Sequence, residues 1–310
     1  MKKIFIDGKA GTTGLRIYER LAERNDVSLI LLSDDERKDP VARKKALNSC
    51  DIAFLCLPDD AAREAVAMID NPDVVVIDAS TAHRTEAGWS YGFPELSAEA
   101  EAEIRKSKRI ANPGCHASGF VALVYPLVEA GIISSDILLS CHSITGYSGG
   151  GKKMIADYDA EARESLLNYP RQYGVTQQHK HLKEMKHITG IENAPIFSPI
   201  VSDFYSGMEV TVPLFAKNLN KGYTIEDIKL VYKNKYNGNI VKYVENIDDS
   251  GFLSAGILAG KDSMAISVYG NDERFILVAL YDNLGKGASG AAVECMNIVI
   301  GEDPTKGLVI

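Results

Sequence analysis

The first third of the chain alternates short unbroken apolar runs with stretches whose apolar residues recur every three or four positions. The runs are KKIFID at 2–7, VSLILL at 27–32, DIAFLCL at 51–57, VVVID at 74–78 and RIAN at 109–112. Runs this short and this continuous indicate strands buried on both faces, and the segments near 15–23, 41–48, 60–69 and 97–106 predict helices that cover them. Strand and helix in strict alternation build a doubly wound α/β domain around a parallel sheet.

After Asn112-Pro113-Gly114 the pattern changes. An apolar helical stretch from about 116 to 130 is followed by longer β-type runs at 137–147, 197–216, 228–236, 264–271 and 274–283. Several of these alternate apolar and polar residues, as a mainly antiparallel sheet with one covered face requires. The segment KGASGAAVECMNIVIG at 286–301 is helical in pattern again. The expected fold is therefore a Rossmann-like α/β domain, 1–113, completed by a C-terminal helix within 286–310, and an α+β domain, 114–285, for catalysis and oligomerisation.

Composition narrows the classes of function. A chain of 310 residues with 45% hydrophobic and 25% charged residues is an ordinary globular protein, long enough for two cores. Its formal charge of −8 argues against nucleic acid, whose binding needs a basic face. No segment approaches the ~20 apolar residues of a membrane span. The N-terminal MKKIFIDG is too short in its apolar part for a signal peptide. Five cysteines without metal-type spacing fit reduced thiols, so a cytoplasmic protein is expected.

The first strand runs directly into Gly8-Lys9-Ala10-Gly11-Thr12-Thr13-Gly14 and then a helix. Glycines there permit a tight turn, close approach of backbone to a pyrophosphate, and close helix–strand packing, while the helix N-terminus favours the anion. The GxxGxxG spacing departs from GxGxxG, but its place after the first strand indicates a dinucleotide. The second strand ends at Ser33-Asp34-Asp35-Glu36-Arg37-Lys38. An acidic residue there selects a free ribose 2′-hydroxyl, whereas Ser33 and Arg37 suit a 2′-phosphate, and the latter reading favours NADP.

Asn112-Pro113-Gly114-Cys115-His116 carries the chemistry. Cys115 opens an apolar helix, and the positive end of a helix dipole favours thiolate. Cys50, Cys56, Cys141 and Cys295 lie in apolar or strand patterns and read as buried hydrophobes. A thiol doing acyl chemistry needs a proton-transfer partner, which His179 or His181 of Gln178-His179-Lys180-His181 supplies. No third ligand accompanies that pair, so no metal is expected. The turn Gly146-Tyr147-Ser148-Gly149-Gly150-Gly151-Lys152 offers an amide nest with a cation for phosphate, and Arg84 follows a strand end where ligands collect.

These segments resemble the N-acetyl-gamma-glutamyl-phosphate reductases, in particular their short form. GKAGTTGLRIYERL, FLCLPDDAAREAV, VIDASTAHRT, YGFPEL, ANPGCHASGF, TGYSGGGKKMI, QHKHLKEM, GMEVTVPL and DNLGKGASGAA follow that family's order over nearly the whole chain. The resemblance implies reduction of an acyl phosphate by NADPH to an aldehyde, with release of phosphate, through a thioester on Cys115. It implies His181 as acid/base, with His179 in reserve. It places Asn283 and Gly285 near the nicotinamide. With the motif residues Gly8, Gly11, Thr12, Thr13 and Gly14, and Pro58 and Ser80 at neighbouring strand ends, these are the expected cofactor residues, while Arg84, Asn112, Ser148, Gly149 and Lys152 are expected at the substrate. A homodimer or homotetramer is expected. The competing readings are a reductase of the aspartate-semialdehyde dehydrogenase type, a non-catalytic NADP sensor, and a thiol hydrolase, the last leaving the glycine motif without a purpose.

Overall fold

The continuous apolar runs of the N-terminal third become strands of one parallel sheet. The computed structural model describes residues 1–310, and they divide into two units: Met1–Gly114 with Ala288–Leu308, and Cys115–Gly287 with Val309–Ile310. In the first unit β1 (Lys2–Asp7), α1 (Thr12–Ala22), β2 (Val27–Ile30), α2 (Pro40–Ser49), β3 (Ile52–Leu55), α3 (Asp59–Ala67), β4 (Val75–Asp78), β5 (Ser90–Tyr91), α4 (Ala98–Lys106) and β6 (Arg109–Ala111) succeed one another. The strands lie in the order β2-β1-β3-β4-β6-β5, all parallel. The chain leaves β1 to one side for β2 and returns on the other side for β3, so the ends of β1 and β3 flank a topological switch point, where such sheets bind ligands.

Because side chains alternate along a strand, each β1 residue chooses a face. Ile4 and Ile6 join Ile17 and Leu21 of α1, Ile104 of α4 and Met296 of the last helix, whereas Phe5 joins Leu47 of α2 and Ala62 and Ala65 of α3. Arg24 closes this unit: it donates to Asp26 Oδ2 (2.6 Å), Asn297 Oδ1 (2.6 Å) and Lys306 O (3.0 Å). The Arg24 hydrogen bond holds the Asp26 carboxyl well below the ordinary carboxylate range.

The second unit runs through α5 (Cys115–Glu129), β7 (Ser140–Gly146), α6 (Gly151–Asp159), β8 (Arg171–Gln172), α7 (His181–Thr189), β9 (Ile196–Ser202), β10 (Met208–Phe215), α8 (Ile225–Lys235), β11 (Val241–Tyr243), β12 (Met264–Gly270) and β13 (Arg274–Tyr281). Its sheet has the order β11-β12-β13-β10-β7-β9-β8. The pairs β11/β12 and β7/β9 are parallel and the rest antiparallel, giving a mixed sheet that is mainly antiparallel. α5 is apolar on all sides and correspondingly buried, between the sheet and the helices α7 and α8. The turn Gly285–Ser289 then leads into α9 (Gly290–Ile300), the helix that completes the first unit.

One element differs from the sequence reading. Residues 228–236, read as a β-type run, form the body of α8 up to Lys235 and its C-cap, Tyr236. A capping box starts this helix, Thr224 and Asp227 satisfying each other's backbone N–H groups. The buried residues Ile228, Tyr232 and Tyr236 stand four apart, so they share one helical face despite their β-type composition. Tyr236 also answers a defect in α5. Pro126 has no N–H to give the Ala122 carbonyl, and the Tyr236 hydroxyl donates to that oxygen at 2.7 Å, while Tyr232 donates to Leu123 O at 2.5 Å.

Tyr236→Phe should accordingly destabilise the protein by about 1–3 kcal/mol, the cost of stranding a buried carbonyl. In a Pro126→Ala background, where residue 126 regains its N–H, the same substitution should cost less. Denaturant titration of the double-mutant cycle measures this, and an equal cost in both backgrounds would mean that Tyr236 acts only through packing.

Candidate active site

At the end of β1 the chain turns through Gly8 at φ +86°, a conformation that side chains resist. A Cβ on Gly8 would lie 2.3 Å from the Cys56 carbonyl oxygen beyond β3, and one on Gly14 would lie 2.5 Å from the Gly8 oxygen. The two glycines thus let turn, helix and neighbouring strand approach one another. Gly11 is the N-cap of α1 and offers no side-chain cap, so the amides of the first turn, which begins at Thr12 and Thr13, keep their donors for a ligand. Pro58 is the N-cap of α3 at the end of β3. Beside this turn a cavity of about 190 Å³ is bounded by Lys9, Ala10, Leu31, Asp34 and Arg37, among others.

Both expected phosphate contacts near the end of β2 already carry a carboxylate. Ser33 and Glu36 form a capping pair, Ser33 N–H to Glu36 Oε2 at 2.8 Å and Glu36 N–H to Ser33 Oγ at 3.3 Å, and Arg37 pairs with Asp34. Ser80 is likewise engaged, donating its hydroxyl to Asp78 Oδ2 at 2.7 Å. The same oxygen holds His83 Nδ1 at 2.6 Å, and the His83 ring stacks on Trp89 at 4.0 Å, so this histidine fixes its loop. Arg84 is buried. It donates through Nε to Asn112 O (2.9 Å) and through a terminal nitrogen to Ala79 O (3.0 Å), tying together the ends of β4 and β6. Asn112 is held in turn by Asp78 O through its N–H (2.8 Å) and by Ala288 O through its amide (3.0 Å). The segment leading to the nucleophile is therefore braced from three sides.

Cys115 is the first residue of α5 and half-buried. The Tyr281 hydroxyl donates to the Cys115 carbonyl at 2.5 Å and accepts from Gly119 N–H at 3.1 Å. A Cβ on Gly287 would be 3.2 Å from Cys115 Cβ, so glycine there lets the turn after β13 lie against the thiol residue. Burial pushes the Cys50 thiol up to about 12 and the Cys56 and Cys141 thiols higher still, and Cys295 is fully buried.

Three imidazoles gather around the start of α5. His181 opens α7 and is buried, with ring centroids 5.6 Å from His116 and 4.7 Å from His179. His179 is half-buried and its Nδ1 accepts the His181 N–H at 3.2 Å. His116 places Nδ1 2.6 Å from Ser143 Oγ and Nε2 2.6 Å from Tyr173 Oη. Burial, reinforced by His179, pulls the His116 pKa down to about 3. Sequence reasoning assigned His116 no role of its own and did not find Tyr173, Ser143 or the buried Glu184. Glu184 was accessible to it, one turn after His181, but nothing in the sequence links Tyr173 with residue 116.

The glycine–lysine loop splits into a fixed and an open part. Ser148 is buried and accepts from Asn283 Nδ2 at 2.9 Å, while Asn283 Oδ1 accepts from Gly207 N–H at 3.0 Å. A Cβ on Gly149 would stand 3.5 Å from that same Asn283 nitrogen. Asn283 thus clamps the loop, and Lys152, in the first turn of α6, is exposed. At Gly285 a Cβ would meet Lys261 O at 2.0 Å, so only glycine fits.

Known proteins match this chain along its length. The family described as Semialdehyde dehydrogenase, NAD binding domain, matches residues 3–104, and Semialdehyde dehydrogenase, dimerisation domain, matches residues 115–283. N-acetyl-gamma-glutamyl-phosphate reductase 2 of a Nostoc species is 43% identical over 99% of each chain. The N-acetyl-gamma-glutamyl-phosphate reductase of Sinorhizobium medicae is 45% identical over 96% of this chain and 98% of its own. Among solved structures, aspartate semialdehyde dehydrogenase II from Vibrio cholerae has a TM-score of 0.73 at 19% identity, covering 97% of this chain and 98% of that one. At that identity the likeness establishes the fold.

Brief treatment with iodoacetamide near neutral pH should attach one carbamidomethyl group, at Cys115, because the other four thiols are buried or pushed up in pKa. Peptide mass spectrometry locates the adduct. Equally fast labelling of Cys56 would show that burial does not protect it.

Proposed function

The chain belongs to the N-acetyl-gamma-glutamyl-phosphate reductases, and from that we propose that it reduces N-acetyl-gamma-glutamyl phosphate with NADPH to N-acetylglutamate semialdehyde and phosphate, through a thioester on Cys115. It is an oxidoreductase of arginine biosynthesis that uses a nicotinamide cofactor. The observation that carries the mechanism is a half-buried thiol at a helix N-terminus beside a cluster of histidines. The aspartate semialdehyde dehydrogenases share the fold at 15–19% identity, which gives them no comparable claim on the substrate.

The glycine cradle fits a dinucleotide pyrophosphate, since side chains at Gly8 or Gly14 would fill it, and the uncapped amides of α1 suit the anion. Gly8, Gly11, Thr12, Thr13 and Gly14 would hold that group, with Pro58 and Ser80 at neighbouring strand ends and Asn283 and Gly285 assigned to the nicotinamide by family likeness. Ser33 and Arg37 would take the 2′-phosphate of NADP, Arg37 exchanging Asp34 for it. When bound, the cofactor supplies the hydride that reduces the thioester carbonyl.

The remaining steps belong to side chains. The Cys115 thiolate attacks the acyl carbonyl, the carbon–oxygen bond to the phosphoryl group breaks, and phosphate leaves with the electron pair. After reduction His181 protonates the hemithioacetal oxygen, then takes that proton back as the carbon–sulfur bond breaks, freeing the aldehyde and the thiolate. The burial of His181 at the head of α7, against the partial exposure of His179, supports this order of the pair. Lys152, the Ser148–Gly149 turn, Asn112 and Arg84 serve the substrate's anionic groups, Arg84 chiefly by shaping the strand ends it bridges. No helix is long and apolar enough to cross a membrane, and the reading is of a cytoplasmic enzyme. The match to a dimerisation domain supports an oligomer, read here as a homodimer or homotetramer.

Cys115→Ala should bind cofactor, form no acyl-enzyme detectable by intact mass, and show no turnover. His181→Asn should still be alkylated at Cys115 while turnover falls ~10²–10⁴-fold, with His179→Asn milder. Full activity of the Cys115 variant would end the covalent mechanism, and a larger defect at His179 would exchange the two histidines.

Arg37→Ala should weaken NADPH binding roughly ten- to a hundredfold and leave NADH unchanged, as loss of a charge-assisted phosphate contact implies. Fluorescence titration with each cofactor decides it. Equal losses would assign Arg37 to the fold.

A further inference from the structure

His116 follows the nucleophile in sequence, yet neither of its ring nitrogens is left for the thiol. Nδ1 lies 2.6 Å from Ser143 Oγ and Nε2 lies 2.6 Å from Tyr173 Oη. The ring is 2% exposed and therefore neutral, with one N–H and one lone pair to share between two hydroxyls. Two arrangements satisfy both contacts. In the first, Ser143 donates to Nδ1 and Nε2–H donates to the Tyr173 oxygen. In the second, every donor and acceptor is reversed.

The two differ in which hydroxyl proton is left over. Ser143 is fully buried on β7, and its hydroxyl is bonded to His116. The second arrangement would strand the Ser143 proton in the core, a penalty that favours the first by roughly tenfold or more. The first arrangement leaves over the proton of Tyr173, which is half-buried two residues after Arg171 and within the same aromatic cluster as His179, ring centroids 6.0 Å apart. Burial, and after it the nearby charge of Cys115, pushes the Tyr173 hydroxyl far up, so it stays protonated.

We propose that Tyr173 donates a hydrogen bond to the anion at Cys115, its direction fixed by the Ser143–His116 pair behind it. Tyr173 then gives a hydrogen bond and not a proton, since its own ionisation lies out of reach, and it preorganises a dipole toward the sulfur charge before substrate arrives. The other titratable groups around this point are His179 and His181, the Tyr281 hydroxyl, which burial keeps protonated and which is spent on the Cys115 carbonyl, and the buried Glu184 one turn after His181; proton transfer is left to the two histidines. The inference rests on Cys115 as the nucleophile.

Two measurements test it. In ¹⁵N-histidine-labelled protein, His116 should be the neutral Nε2–H tautomer and remain neutral as the pH is lowered through 6 and 5, values well above its pKa of about 3. The Nδ1–H tautomer would overturn the proposal, and this experiment needs no variant to fold. In substrate-free enzyme, Tyr173→Phe should move the pH profile of Cys115 alkylation upward by about one unit, roughly a tenfold slower reaction near neutral pH. Ser143→Ala should shift it less, by freeing the tautomer. An unchanged profile in Tyr173→Phe would overturn the donor role even where Cys115→Ala abolishes turnover, whereas turnover by Cys115→Ala would overturn the thioester reading and leave the tautomer result standing.

Discussion

The hydroxyl of Tyr281 stands between two backbone groups that an undisturbed helix would pair with each other, the Cys115 carbonyl and the Gly119 N–H. It donates to one and accepts from the other, so the first turn of α5 is pinned by the last residue of β13. Burial keeps the phenol protonated and hence always able to donate. The pin needs room: a Cβ on Gly119 would lie 2.7 Å from the Tyr281 oxygen. Since the thiol sits at the first position of this helix, the sheet's most buried strand sets where it can point.

The histidine cluster depends on the same anchoring. His116 is one residue further along α5, and its two hydrogen bonds reach β7 through Ser143 and the loop after β8 through Tyr173. A buried imidazole with both nitrogens occupied cannot serve as a base, which separates it chemically from His179 and His181, a few ångströms away. Its surroundings thus hold His116 neutral within a cluster of three imidazoles. The first unit shows a parallel division, in which Arg84 and His83 stiffen loops at strand ends instead of remaining open.

Most of the fold was legible because strand and helix periodicities are local properties. The parallel sheet, the change of character after Gly114 and the returning helix could be read from runs and spacings alone. Residues 228–236 were not, because aromatic and β-branched composition outweighed a spacing of four that places Ile228, Tyr232 and Tyr236 on one face. The need for the Tyr236 hydroxyl there came from Pro126, a hundred residues earlier, and no local pattern carries that information.

By itself the sequence determined the glycine turn after β1, a cysteine heading an apolar helix, and a histidine pair in a chain resembling a known reductase family, since each is written in adjacent residues. Only the tertiary structure decided what those groups can do. It gave Arg84 to backbone carbonyls, set Glu36 and Asp34 against Ser33 and Arg37, buried three thiols and pushed the pKa of Cys56 up while leaving Cys115 half-open, and joined His116 to Tyr173 across 57 positions. Ionisation and hydrogen-bond direction depend on desolvation and on which groups meet, and those are fixed by packing between segments far apart in the chain.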